Sequence, residues 1–186
     1  MQSKKNFLLV MFFLLLFYFY GNAQEIIING DKTERLLTWD DFKGRADKSS
    51  SYYAETHWEL SFGKISFRSD QEIPLKDLVL TLHFNEKKSW VIKGKETPEL
   101  LKHEQGHFDI GRLCQLEILA TIKTTKITKE NFISSIQQIF DTTLNKYHKM
   151  GIRYDTESNH SINKEKQEVW NTFLADEKKR LLKLNE

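Results

Sequence analysis

The chain is poor in cysteine. A single thiol, Cys114, among 186 residues excludes an intrachain disulfide framework and any multi-cysteine zinc site. Proline is almost as scarce, with only Pro74 and Pro98, and no Pro-, Gly- or Ser-rich linker divides the sequence. No internal repeat or low-complexity run is present. Charge of one sign is also missing: 28 Lys+Arg face 26 Asp+Glu, and Lys4 and Lys5 supply the excess of two. The remainder is neutral, so bulk electrostatics does not favour a polyanion, and nucleic acid is not an expected partner. With 39% hydrophobic and 29% charged residues, the composition suits neither a disordered chain nor a polytopic membrane protein.

The one long apolar run is Phe7–Tyr20. It follows Lys4 and Lys5 and precedes the small residues Gly21, Asn22 and Ala23. This is the pattern of a secretory signal over residues 1–23, with cleavage expected before Gln24. An uncleaved anchor is the alternative reading, although the run is short of the ~20 residues of a spanning helix. Either reading exports the rest, so a periplasmic or secreted location is expected, with no membrane association beyond the leader. Residues 24–186 then form a single domain.

The first half of that domain reads as strands. Glu25–Asn29 is β-branched and ends at the turn signal Gly30–Asp31. Arg35–Trp39 follows, then a polar stretch over Asp40–Ser51. Tyr52–Phe67 alternates as a hairpin around Gly63, Leu78–Phe84 has the character of a buried strand, and Ser89–Lys93 is short and closed by Gly94. The second half reads as three helices. Thr97 and Pro98 supply an N-cap and first helical residue, and the pattern runs to about Thr124. A second helix is expected from near Thr128 to Gly151. Ile152–Ser161 is expected as a loop, and a third helix from about Asn163. Strands followed by helices predict an α+β fold in which the N-terminal strands are antiparallel.

The first helix contains His103-Glu104-Gln105-Gly106-His107, an H-E-x-x-H sequence. Four residues are slightly more than one helical turn, so both imidazoles leave the same face and can meet one zinc ion. Glu104, rotated by about 100° from His103, is placed to take a proton from a zinc-activated water as general base. Gly106 costs the helix about 1 kcal/mol relative to alanine, and is either a tolerated weakness or room for a neighbouring backbone or for substrate beside the metal. Two histidines do not complete a catalytic site, since three protein ligands are usual. Glu117 and Cys114 lie too far along the helix, about 15 Å and 10 Å from His107. Glu130 is available but not distinctively placed. His160 follows the polar stretch Tyr154–Asn159 just ahead of the third helix, where an imidazole tends to stay neutral as a ligand must. It is the favoured third ligand, with Asp155 and Glu157 as competitors. His57 and His83 fall in strand patterns, and His148 falls near the end of the second helix. Tyr154 is a candidate donor to a developing oxyanion.

With these residues in view, the chain resembles a family of exported bacterial proteins of unknown function, DUF922, described as candidate secreted zinc-dependent proteases. The similarity is carried by Leu37–Gly44 (L-T-W-D-D-F-K-G), Tyr53–Thr56, Ser89–Val91, Lys102–Ile110 (K-H-E-Q-G-H-F-D-I) and Tyr154–His160, with Trp170 soon after. The family pattern has Thr and Gly where this chain has Ser158 and Ser161. The resemblance implies a zincin-like active-site helix, metal ligands His103, His107 and His160, catalytic Glu104, a Zn2+ cofactor and a peptide or protein substrate. A non-catalytic envelope protein with a structural zinc, closed by Asp155 or Glu157, is the alternative.

Overall fold

In the computed structural model, residues 24–63 and 78–186 are described. The expected leader and the far arm of the expected hairpin around Gly63 lie outside them. The chain first reverses at Asn29 and Gly30, whose φ values of 55° and 87° match a tight hairpin turn. This turn joins β1 (Gln24–Ile28) to β2 (Asp31–Lys32). Further strands are β3 (Ala54–Glu55), β4 (Trp58–Phe62), β5 (Leu80–Phe84) and β6 (Trp90–Val91). Three helices follow: α1 (Pro98–Thr124), α2 (Phe132–Ser158) and α3 (Lys164–Asn185). The arrangement is α+β, strands first and helices after.

The larger sheet has the order β2-β1-β5-β4, and β3 pairs with β6 in a second, two-stranded sheet. The expectation of antiparallel strands holds for β1·β2, β4·β5 and β3·β6 but not at the centre. There β1 lies parallel to β5, with Ile26 opposite Leu82 and Ile28 opposite Phe84. No tight turn links these two strands; the chain between them includes β3 and β4, so hairpin geometry does not dictate their direction.

The segment Arg35–Trp39 is not a strand, because its backbone donors are taken by side chains. Leu37 N–H donates to Gln105 Oε1 at 2.8 Å, and Thr38 N–H donates to Asp41 Oδ2 at 2.7 Å. Asp41 is buried and also receives both terminal nitrogens of Arg35, at 2.7 and 2.6 Å. A short 3-10 turn at Trp39–Asp41 results.

Ile26, Ile28, Leu82 and Phe84 form an apolar sheet face that packs with Leu37, Phe42 and Phe108. Phe108 brings α1 onto this face and meets Phe84 edge-on at 5.7 Å. On its other side α1 packs against α2 and α3 through Leu113, Leu116, Ile136, Tyr154, Trp170 and Leu174. Sixteen of its 27 residues are buried, so α1 is the central helix rather than an amphipathic cover. Cys114 is fully buried within this core, and burial pushes its thiol up to about 12, which makes it an inert packing residue.

One helix expectation changes. α2 does not stop at Gly151; it continues to Ser158 and ends at Asn159. Packing of Tyr154 into the core outweighs the weak helix propensity of the polar stretch. His148 is therefore inside a helix and does not face its C-terminal dipole. In α3, Val169 is exposed, while Gln167, Trp170, Leu174 and Leu181 are the buried residues.

A buried amide joins α1 to the sheet. Gln115 Nε2 donates to the carbonyls of Glu25 (2.8 Å) and Leu80 (2.6 Å), and its Oε1 accepts from Arg112 Nη1 at 2.6 Å. Gln115→Leu removes three hydrogen bonds at once, two of them fully buried. A loss of about 2–4 kcal/mol is expected in urea denaturation, given roughly 1–3 kcal/mol per unsatisfied buried group. A loss below about 0.5 kcal/mol, within the range of a featureless surface substitution, would contradict this account of the α1–sheet junction.

Candidate metal centre

α1 begins as expected, with Thr97 Oγ1 accepting from Leu100 N–H and Pro98 at the first helical position. One turn later His103 and His107 project from the same face, their rings 4.9 Å apart and nearly perpendicular. α2 crosses this face. At Gly106 an added Cβ would fall 2.3 Å from the Tyr154 hydroxyl and 2.7 Å from Cζ, so the glycine exists to admit that ring. Tyr154 stacks on His103 at 4.6 Å and 14°, and its hydroxyl donates to the His103 carbonyl at 3.1 Å. It has no exposed surface. Its proton is committed to the backbone, so the expected oxyanion donor is a packing and positioning residue instead.

The next residue, Asp155, is delivered to both imidazoles. Its Oδ1 lies 2.8 Å from His107 Nε2 and 3.2 Å from His103 Nε2. The ligand atoms of His103, His107 and Asp155 all lie within 4.8 Å of one another, a grouping able to hold a metal ion. Burial works against the Asp155 charge, but the hydrogen bonds from His103 and His107 outweigh it and hold the carboxyl well below its ordinary range. Burial likewise disfavours a cationic His107, yet the bond to Asp155 and the charge of Glu104 leave its pKa raised.

His160, the favoured third ligand from sequence, is brought to the rim of the group. Its Nδ1 is 3.5 Å from Asp155 Oδ1, and its ring lies 4.1 Å from that of Tyr52. It sits in a left-handed turn formed by Asn159, His160 and Ser161, with φ of 48°, 49° and 73°. Such residues cost roughly 1–2 kcal/mol each relative to ordinary backbone. Ser161 occupies the position where the resembled family has glycine, the residue that adopts this conformation without strain. Burial lowers the His160 pKa, with His103 and His107 reinforcing and Asp155 opposing. The remaining candidates are used elsewhere. Glu157 accepts from Trp170 Nε1 at 2.9 Å, His57 pairs with Glu55 at 2.9 Å, and His83 bonds Ser61 at 2.9 Å.

Glu104 is 2% exposed, and its Oε2 has no hydrogen-bond partner among the described residues. The residue that follows β3 reaches this place too, since Thr56 Oγ1 donates to the Glu104 carbonyl at 3.2 Å. Burial raises the Glu104 pKa, and the nearby imidazoles of His107 and His103 offset part of the rise. Gln167 on α3 contacts the centre through His103 Nδ1 at 3.0 Å. Sequence reasoning missed it, although a polar residue at the start of the buried row Gln167-Trp170-Leu174 was a readable signal.

The donor set fits a zinc ion, which accepts imidazole nitrogen and carboxylate oxygen together, whereas calcium and magnesium favour oxygen ligands. A buried carboxylate with a raised pKa weakens folding once pH exceeds its unfolded value near 4.5. Metal-free Glu104→Gln is therefore expected to be more stable than the parent at pH 8, with the gap shrinking towards pH 4. Thermal unfolding across that range checks it, and a variant less stable than the parent at pH 8 would refute the assignment of strain to this carboxylate.

No curated protein and no solved structure matches the chain. No helix among the described residues is long and apolar enough to cross a membrane. A family model described as "Bacterial protein of unknown function (DUF922)" matches residues 27–161, which include His103, Glu104, His107, Asp155 and His160. The chain belongs to the DUF922 family.

Proposed function

We propose that the protein is an exported zinc-dependent hydrolase that cleaves peptide bonds, with His103, His107 and Asp155 holding the metal and Glu104 as general base. The observation that carries this reading is one juxtaposition. Two imidazoles and a carboxylate converge beside a second carboxylate that is buried and keeps one oxygen unpartnered among the described residues. A purely structural zinc site has no use for that second, destabilising acid.

When bound, zinc supplies Lewis-acid polarisation of a carbonyl and acidifies water. The chain's own residues divide the remaining work. Glu104 takes a proton from the attacking water and returns it to the leaving amine, and its raised pKa suits both transfers. Asp155 neutralises charge and fixes the two imidazoles. His160 lies beside Asp155 and is partly exposed, so it is available to substrate. The sequence supports export through its apolar leader.

His160 also supports a second reading. Its Nδ1 lies 3.5 Å from Asp155 Oδ1, close enough to the cluster to contribute a fourth protein ligand, which would close the site and make the zinc structural. Metal titration and peptide hydrolysis separate the two. The catalytic reading expects about one zinc per chain. It expects Glu104→Gln to retain zinc while losing on the order of 10²–10⁴-fold in rate. It also expects Asp155→Ala to weaken zinc by at least about tenfold, and His160→Ala to weaken it less. Full zinc loading with no turnover on a broad peptide mixture, together with equal losses from Asp155→Ala and His160→Ala, would establish the closed site instead.

A further inference from the structure

The polar atoms behind His103 form a directed chain whose polarity can be followed from groups that only accept. Glu168 is a carboxylate held by Lys102 Nζ at 2.9 Å, and it accepts from Asn171 Nδ2 at 2.9 Å. That contact turns the Asn171 carbonyl towards Gln167, where Asn171 Oδ1 lies 2.9 Å from Gln167 Nε2. A second acceptor-only group acts from the other side. The His103 carbonyl takes the Tyr154 hydroxyl proton at 3.1 Å, so the Tyr154 oxygen is left to accept from Gln167 Nε2 at 2.6 Å. Both neighbours of the Gln167 nitrogen therefore require a donor, and each uses one of its two hydrogens. The amide has one remaining way to face. Its Oε1 points at His103 Nδ1, 3.0 Å away. An oxygen there accepts only, so Nδ1 must carry the hydrogen.

We infer that Gln167 of α3 is a positioning residue that keeps a hydrogen on His103 Nδ1 and so turns Nε2, 3.2 Å from Asp155 Oδ1, towards the cluster as the nitrogen that a metal would take. The path starts and ends on His103: its carbonyl accepts from Tyr154, Tyr154 accepts from Gln167, and Gln167 accepts from the imidazole of the same residue. All three side chains are buried, so water does not compete for these bonds. The placement of the third helix follows from this role. α3 supplies no atom to the metal cluster, and Gln167 lies beyond residues 27–161 matched by the family model. It nonetheless decides which nitrogen of a helix α1 ligand is available. Without an acceptor at Nδ1, the Asp155 carboxylate beside Nε2 would draw the proton to that nitrogen, and the Nε2–H form cannot bind a metal through Nε2.

The inference rests on the metal-site reading, but its first readout requires no metal. Nitrogen-15 NMR of histidine-labelled, metal-free protein is expected to show a hydrogen on His103 Nδ1, whether or not Nε2 also carries one opposite the Asp155 carboxylate. In Gln167→Met, which fills the same space without an acceptor, the Nε2–H form is expected to appear. Zinc affinity is expected to fall about 10–100-fold, the usual effect of losing such a partner. Gln167→Glu keeps an acceptor opposite Nδ1 and is expected to recover most of that affinity. If Gln167→Met does not fold, Tyr154→Phe supplies the alternative, since it frees one amide hydrogen and is expected to admit the flipped amide and a mixture of His103 forms. A parent His103 already in the Nε2–H form would overturn the inference, as would Gln167→Met with unchanged tautomer and zinc affinity. A parent with the Nδ1–H form but no zinc uptake would refute the metal reading alone and leave the proton lock standing.

Discussion

A side chain at position 106 would occupy the space filled by the Tyr154 phenol, and the candidate site depends on that space being open. Because Gly106 has no Cβ, α2 approaches α1 closely enough for Tyr154 to stack on His103 and bond its carbonyl. Asp155 follows Tyr154 directly and so arrives between the two imidazoles. An unfavourable residue for a helix interior, costing about 1 kcal/mol in propensity, thus fixes where the third donor of the cluster falls. Gly151 on the opposing helix imposes no such demand, since an added Cβ there would meet His107 Nδ1 at an ordinary contact distance of 3.9 Å.

The parts written in local sequence were legible. Thr97-Pro98 marked the start of α1, and the four-residue histidine spacing marked its functional face. Gly30-Asp31 and the β-branched run before it marked the first turn, which falls one residue earlier, at Asn29-Gly30. What could not be read locally depended on distant partners. The parallel pairing of β1 with β5 reflects strands separated by a long connection. α2 passes Gly151 because the buried Tyr154 ring and Ser158, whose hydroxyl bonds the Tyr154 carbonyl at 2.7 Å, make helix worthwhile there. Once that stretch is helical, Asp155 and His160 exchange prominence. The carboxylate moves into the cluster and the histidine moves to a left-handed turn at its edge. Gln105, an unnamed position inside the H-E-x-x-H motif, proved to be structural as well, since it caps the Leu37 backbone and bonds Asp109 at 2.9 Å.

The electrostatics show a division of roles between the two acids. Asp155 is stabilised by the histidines and favours the folded, ordered cluster. Glu104 is penalised by burial and is retained without a partner for one oxygen among the described residues. A carboxylate kept at a cost in stability, next to a set of potential ligands, is the pattern expected where reactivity rather than packing selects the residue. The helix that supports this arrangement is held at three levels: by Phe108 against the sheet, by Gln115 on the sheet's backbone carbonyls, and by Gln167 behind its first histidine.

The central claim is that His103, His107 and Asp155 form one metal site. The most direct measurement is an anomalous-difference map from crystals of the zinc-loaded protein. The account predicts a single strong peak about 2.0–2.2 Å from His103 Nε2, His107 Nε2 and an Asp155 oxygen. A peak bound through Nδ1 of His103, one that excludes Asp155, or no peak between these residues would contradict it.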